Sequence, residues 1–208
     1  MSKPTTRDVI LDTAERLFAR QGIEAVSLRT INTEAGFSVA ALHYHFRNRQ
    51  GLIEALIERD QKPVLSRRQE LLDELDTLVK PEVRQITEAL VLPMAEPIID
   101  NPEKGLQTIK FLFQTYIDQK NHRQVSEVIE ESFRIFDRLL VSALPELDRN
   151  LLHQRWVVAA ELTFQGLANI DNVMTLRPHQ DERENYRDYV RRLIDFIAGG
   201  LAADASAA

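Results

Sequence analysis

The segment from Ser27 to Phe46, SLRTINTEAGFSVAALHYHF, constrains the fold most, because it divides into two short helices on either side of Gly36. Ser27 is a suitable N-cap, and Leu28, Ile31 and Ala35 recur at helical spacing. Gly36 tolerates the positive φ found just past a helix end. Ser38 then caps a second helix, in which Leu42 and Phe46 face a core while Val39, Ala40, Ala41, His43, Tyr44 and His45 stay mostly outside. Two helices joined by so few residues cross steeply, the helix-turn-helix arrangement whose second member can enter a DNA major groove. Ala40 and Ala41 let the backbone approach base edges, and Tyr44 and the two imidazoles can hydrogen-bond phosphate oxygens.

The flanks extend this unit. Upstream, Thr5 and Asp8 form a capping-box pattern, and Val9, Ile10, Ala14, Leu17 and Phe18 make an apolar stripe that Gly22 ends. Downstream, Asn48 can cap a helix carrying Leu52, Ile53, Leu56 and Ile57. Arg47 and Arg49 then sit at a helix start, where free amides and basic side chains can hold a phosphate together. Three helices and the start of a fourth converge on one anion-binding surface.

Residues 6 to 57 resemble the tetracycline-repressor (TetR) family of bacterial regulators. The resemblance is carried by Ile10-Leu11-x-x-Ala14-x-x-Leu17-Phe18-x-x-x-Gly22, Ser27-x-Arg29-x-Ile31, Glu34-Ala35-Gly36-Phe37-Ser38, Leu42-x-Tyr44-His45-Phe46 and Arg49-x-x-Leu52. It implies DNA contact by Ser27, Ser38, Ala40, Ala41, His43, Tyr44, His45 and Arg49. It also implies an all-α fold with a three-helix DNA-binding head (1–48), a helical ligand-binding and dimerisation domain (49–201) and a flexible tail (202–208). Three positions depart from the family pattern. His43 replaces a usual Tyr, which makes phosphate contact dependent on imidazole protonation. Asn32 replaces a usual Ala, and Gly51 stands in a first helical turn, where Gly weakens a helix by up to ~1 kcal/mol relative to Ala.

No Arg, Lys, Asn or Gln lies between Val39 and Phe46, so the recognition helix lacks the side chains that make bidentate base contacts. Specificity is therefore expected from apolar contact by Val39 and Ala41, a His or Tyr edge, Arg29 and Thr30 of the preceding helix, and DNA shape.

With 208 residues the chain can form a small head and a larger body with its own core. It has no Cys, which excludes disulfides, thiolate metal sites and a Cys nucleophile. Its first residues lack an apolar signal region and no run approaches a membrane span, so a cytoplasmic location without membrane contact is expected. The net charge of −6 is distributed as +1 over residues 1–55 and −7 over the remainder. Charges more than about 8 Å from a docked phosphate are heavily screened, so an acidic body can coexist with a DNA-binding head. Lys3, Arg7, Arg47 and Arg49 are the expected sources of salt sensitivity.

Beyond Leu52 the periodicity is helical throughout, predicting helices near 49–78, 82–99, 103–118, 122–143, 148–175 and 182–200. The stripe Ala159, Thr163, Gly166, Ile170 and the stripe Tyr186, Val190, Leu193, Ile197 suggest a homodimer interface, although each can equally face the chain's own core. The family plan places an effector pocket among the middle helices. Met94, Ile98, Phe111, Tyr116, Phe133, Trp156 and Phe164 are its candidate lining and imply a small, largely apolar effector. Pro93 and Pro97 each remove a backbone donor where such a pocket can open.

Catalysis finds no support. His122, His153 and His179 are scattered, and Glu130-Glu131 and Asp181-Glu182 read as solvated pairs. There is no phosphate loop or nucleophile motif, and neither a catalytic residue nor a metal or cofactor is expected. The rival to a ligand-responsive regulator of operator DNA is a helical ligand-binding or interaction protein that has lost specific DNA binding.

Overall fold

A computed structural model of the chain describes residues 4–117, 134–176 and 182–204, and every regular element among them is a helix. In order these are α1 (Thr6–Gln21), α2 (Leu28–Ala35), α3 (Val39–Phe46), α4 (Arg49–Asp76), α5 (Val83–Asp100) and α6 (Pro102–Ile117). There follow α7, helical over 134–143, then α8 (Arg149–Ala168), α9 (Ile170–Leu176) and α10 (Glu182–Ala202). None of the described helices is long and apolar enough to cross a membrane.

Local chemistry sets the first boundaries. The Asp8 amide donates to Thr5 Oγ1 at 3.2 Å and the Thr5 amide to Asp8 Oδ2 at 3.0 Å, a closed capping box on α1. The side chains of Ser27, Ser38 and Asn48 accept the amides of Thr30, Ala41 and Gly51 at 3.1, 3.2 and 2.8 Å. Each supplies an acceptor for a donor that its helix leaves unpaired. Gly36 ends α2 at φ 73°, in the left-handed region. Gly51 is explained by crowding: a Cβ there would lie 2.2 Å from the Phe46 carbonyl oxygen. The helix-weakening residue is what lets α4 start directly against the end of α3.

The described residues form two cores. The first joins Ile10, Leu11, Leu17 and Phe18 of α1 to Ile31 of α2, Leu42 and Phe46 of α3, and Leu52, Ile53, Leu56 and Ile57 of α4. The expected boundary between residues 48 and 49 coincides with the start of α4, but this core runs on to Ile57 and takes in Phe111 and Leu112 from α6. Phe111 stacks on Phe18 with ring centroids 6.0 Å apart. The second core gathers Leu72 and Leu75 of α4 with the inward faces of α5, α7, α8 and α10.

A buried ionic cluster joins the head to α6. Glu15 is 0% exposed and accepts from Arg59, from Lys104 and, at 2.6 Å, from the Thr108 hydroxyl. Arg59 also donates to Asp12 at 2.8 Å and to the buried Asp60 at 2.7 Å. Ile23, in the turn after α1, donates its amide to Gln114 Oε1 of α6 at 3.1 Å.

The structure corrects one helix. In place of a continuous helix over 148–175, the chain breaks at Asn169 between α8 and α9. The Asn169 side chain donates to the Gln165 carbonyl at 2.9 Å, which competes with the backbone ladder in a way that apolar periodicity cannot reveal. Helix α5, by contrast, runs unbroken through Pro93 and Pro97.

Candidate nucleic-acid interface

Helices α2 and α3 present one continuous polar and small-residue surface. Ser27, Arg29 and Thr30 are exposed at the start of α2, and Ser38, Val39 and Ala40 at the start of α3, with Ala41 half-buried behind them. Val39 is 50% exposed and Tyr44 84%, which for large side chains in a packed three-helix unit leaves them free to meet a partner. His45 lies half-buried between them and the core, edge-on to Tyr44 at 5.1 Å. The structure thus brings together ten of the eleven predicted DNA-facing residues.

His43 is geometrically specified. Its Nδ1 lies 2.6 Å from the Arg47 carbonyl oxygen, which can only accept, so Nδ1 carries the proton. In the neutral ring Nε2 then holds a lone pair and repels a phosphate. Only the imidazolium donates from both nitrogens. Arg47 closes α3 at φ 64°, the one positive φ outside glycine among the described residues, and its side chain is exposed. Arg7 is exposed too, with its guanidinium 5.5 Å over the Phe46 ring, whereas Lys3 lies outside the described residues.

Arg49 is the correction. Its guanidinium turns inward and donates to the carbonyls of Val26 and Ile23 in the turn between α1 and α2, 5.5 Å over the Phe18 ring. Both oxygens lie in the turn outside any helical ladder, the Ile23 oxygen also accepting the Val26 amide at 3.4 Å, and a fork of fixed donors matches the pair. The side chain therefore braces the head, and Arg47 is the exposed cation beside α3.

In the body, the expected pocket lining is dispersed. Met94 and Ile98 are buried in the second core, Trp156 stacks on Phe136 at 4.3 Å, and Phe111 belongs to the head's core. Tyr116 stacks on Phe164 at 5.1 Å and donates its hydroxyl to Glu161 at 2.6 Å. Burial and that carboxylate push its phenol up to about 12. Phe133 lies outside the described residues. Phe111 is misplaced because α6 is apolar on two sides: Ile109 faces the body while Phe111 and Leu112 face α1.

The dimer stripes are likewise corrected. Ala159, Thr163, Ile170, Tyr186, Val190 and Ile197 are buried in the chain's own core, while Gly166 faces Leu193 between α8 and α10, so closely that a Cβ at 166 would lie 3.3 Å from the Leu193 methyls. The apolar surface left over is a neighbouring one. Val158, Leu162 and Phe196, at 56%, 37% and 69% exposure, line an open groove whose floor is Ala159, Ile197 and Leu201. Helix α8 is apolar on both faces, and periodicity identifies only the more regular stripe.

Comparison with known proteins agrees with this geometry. Residues 10–56 match the model for bacterial regulatory proteins of the tetR family, and residues 88–200 match the tetracyclin repressor-like C-terminal domain. The chain is 25% identical over 187 residues to the HTH-type transcriptional regulator BetI of Vibrio campbellii, covering 86% of this chain and 87% of that protein. It is 26% identical over 189 residues to the regulator UidR of Escherichia coli, covering 82% and 93%. A TetR-like regulator from Rhodococcus sp. RHA1 superposes with a TM-score of 0.65 at 19% identity, covering 98% of this chain and 100% of that one. A head that exposes α3 beside a capped α2, on a body that the C-terminal model matches over more than half of the chain, makes this protein a member of the TetR family of DNA-binding transcriptional regulators.

Proposed function

We propose that the protein is a cytoplasmic repressor that binds operator DNA as a homodimer and is released by a small, largely apolar effector held in its body. The observation that carries this reading is the outward face of α3, where Val39 and Tyr44 stay exposed beside Ala40 and capped Ser38. Ser27, Arg29, Thr30, Ser38, Val39, Ala40, Ala41, His43, Tyr44 and His45 form the DNA surface, with Arg47 in place of Arg49 as its flanking cation. Tyr44, Arg47 and protonated His43 hold phosphates, and the apolar side chains read thymine methyls and groove shape.

One such head offers few base contacts. A twofold pair engages two half-sites about one helical turn, ~35 Å, apart. The groove lined by Val158, Leu162 and Phe196 supports pairing through α8 and α10. An effector that binds better when the heads are spread lowers operator affinity by its differential affinity for the two states. Helix α4 supports that linkage, since its start packs in the head and its last turns in the body.

Fluorescence anisotropy with duplex from upstream of the protein's own gene tests the reading. Tight, salt-sensitive and sequence-selective binding is the expected result. Equal affinity for scrambled duplex at every salt concentration refutes it.

A further inference from the structure

A half-buried cation on the body side of α4 has no acidic partner among the described residues. Val64, Arg68, Leu72 and Leu75 share one face of α4, and the three apolar members pack in or against the body's core. Arg68 occupies a core-facing position on that stripe. Its Nε is cut off from solvent and has no hydrogen-bond partner. Its Nη2 reaches the Leu90 carbonyl at 3.4 Å, the long limit for such a bond, and the α-helical pattern already assigns that oxygen to the Met94 amide. Burial pushes the guanidinium down to about 10, so it stays charged at neutral pH.

The neighbouring arginine shows what a satisfied one looks like on the same helix. Arg67 donates to both oxygens of Glu96 at 2.9 and 3.2 Å and to Glu70 at 2.9 Å. Among the described residues no carboxylate pairs with Arg68. A guanidinium held partly out of water with its Nε unbonded and no carboxylate beside it costs stability, and its retention is explained when an anion completes it.

We propose that Arg68 is the anchor of the effector site and selects a carboxylate joined to an apolar body. This rests on the reading of the protein as an effector-released regulator and names the effector's class. The planar fork takes a carboxylate with two parallel bonds, and Leu72, Leu90 and Met94 beside it suit an apolar remainder. A single net positive group fits a monoanion better than a phosphate dianion, because Arg67 is already neutralised by its own carboxylates.

The test uses the full chain and Trp156, its sole tryptophan, which lies in the same core. Octanoate, dodecanoate and 1-naphthylacetate are titrated below their aggregation limits, each against its methyl ester, with Trp156 fluorescence and thermal shift as readouts. Wild type is expected to prefer at least one acid to its ester by about tenfold or more, and Arg68→Met to lose that preference while still binding the ester. Urea unfolding of Arg68→Met is expected to show a midpoint equal to or above wild type, since the variant removes an unpaired charge. No saturable binding of any acid, equal binding of acid and ester, or a preference that survives in Arg68→Met overturns the proposal. Operator binding by the unliganded protein is measured separately. If it holds while the acids fail, only the assignment of Arg68 falls; if it is absent, the regulator reading itself falls.

Discussion

Arg49→Met separates a brace from a phosphate clamp. In the structure the guanidinium satisfies the Val26 and Ile23 carbonyls, and methionine keeps the apolar stem over Phe18 while removing both donors. Hydrogen bonds from charged groups contribute about 1.5–3 kcal/mol each, and the half-buried setting argues for the lower end, so a loss of roughly 3 kcal/mol is expected. In a chain of this size that corresponds to a fall in Tm of about 6–12 °C. The salt dependence of operator affinity should stay as in wild type. Arg47→Met is the counterpart. Its side chain is exposed, so unfolding should barely change, but each lost phosphate contact reduces the slope of log K against log salt by about 0.9. Two heads make that about 1.8 per dimer. Urea unfolding and anisotropy titrations across potassium chloride concentrations read both quantities. Arg49→Lys, which keeps the charge but not the fork, should lose about half the stability and guards against a variant too unstable to assay. If Arg49→Met unfolds like wild type and flattens the salt slope as Arg47→Met does, the inward placement of Arg49 is wrong.

Asn32 is buried in α2 with neither amide atom partnered, so Asn32→Ala should stabilise the head by about 1–3 kcal/mol in urea unfolding, and a destabilised variant would contradict this. Burial raises the Asp60 carboxyl to about 6, partly offset by its bond to Arg59. The folded state therefore holds a proton that the unfolded chain releases between about pH 4 and pH 6. The penalty is complete above that window and fades as pH falls through it. Relative to Asp60→Asn, wild type should gain roughly 1 kcal/mol between pH 7 and pH 5, and parallel stability curves for the two would refute it. Phe196→Asp places a charge on the groove between α8 and α10 and should convert the dimer to monomer in sedimentation velocity, with weaker operator binding; an unchanged dimer moves the interface elsewhere.

What the sequence made legible is what short-range chemistry decides. Thr5 with Asp8, and Ser27, Ser38 and Asn48, bond amides three residues away, so the helices of the head can be read from neighbouring letters. The inward turn of Arg49 is not legible locally, because the carbonyls it serves lie 23 and 26 residues back, across the fold of α1 on α2. Glu15 meets Lys104 at a separation of 89 residues, and nothing local to either announces the pairing. In the body the difficulty is excess rather than absence of signal. Helix α8 carries Trp156, Ala159 and Thr163 inward and Val158 and Leu162 outward, and only packing against α10 decides which stripe is interior. The oddities at Asn32 and Gly51 were visible as letters, but only the crowded start of α4 gives the glycine a reason.

The enclosed carboxylate of Glu15 has a mechanical consequence. Pulling α6 away from α1 would strand an ionised group where water does not reach, at a penalty of several kcal/mol, so any displacement of α6 drags the head along. Surface grip on DNA fades with ionic strength, but the enclosed Glu15 carboxylate is screened less than the exposed contacts are. Rising salt is thus expected to weaken the hold on DNA before it loosens the join between α6 and the head.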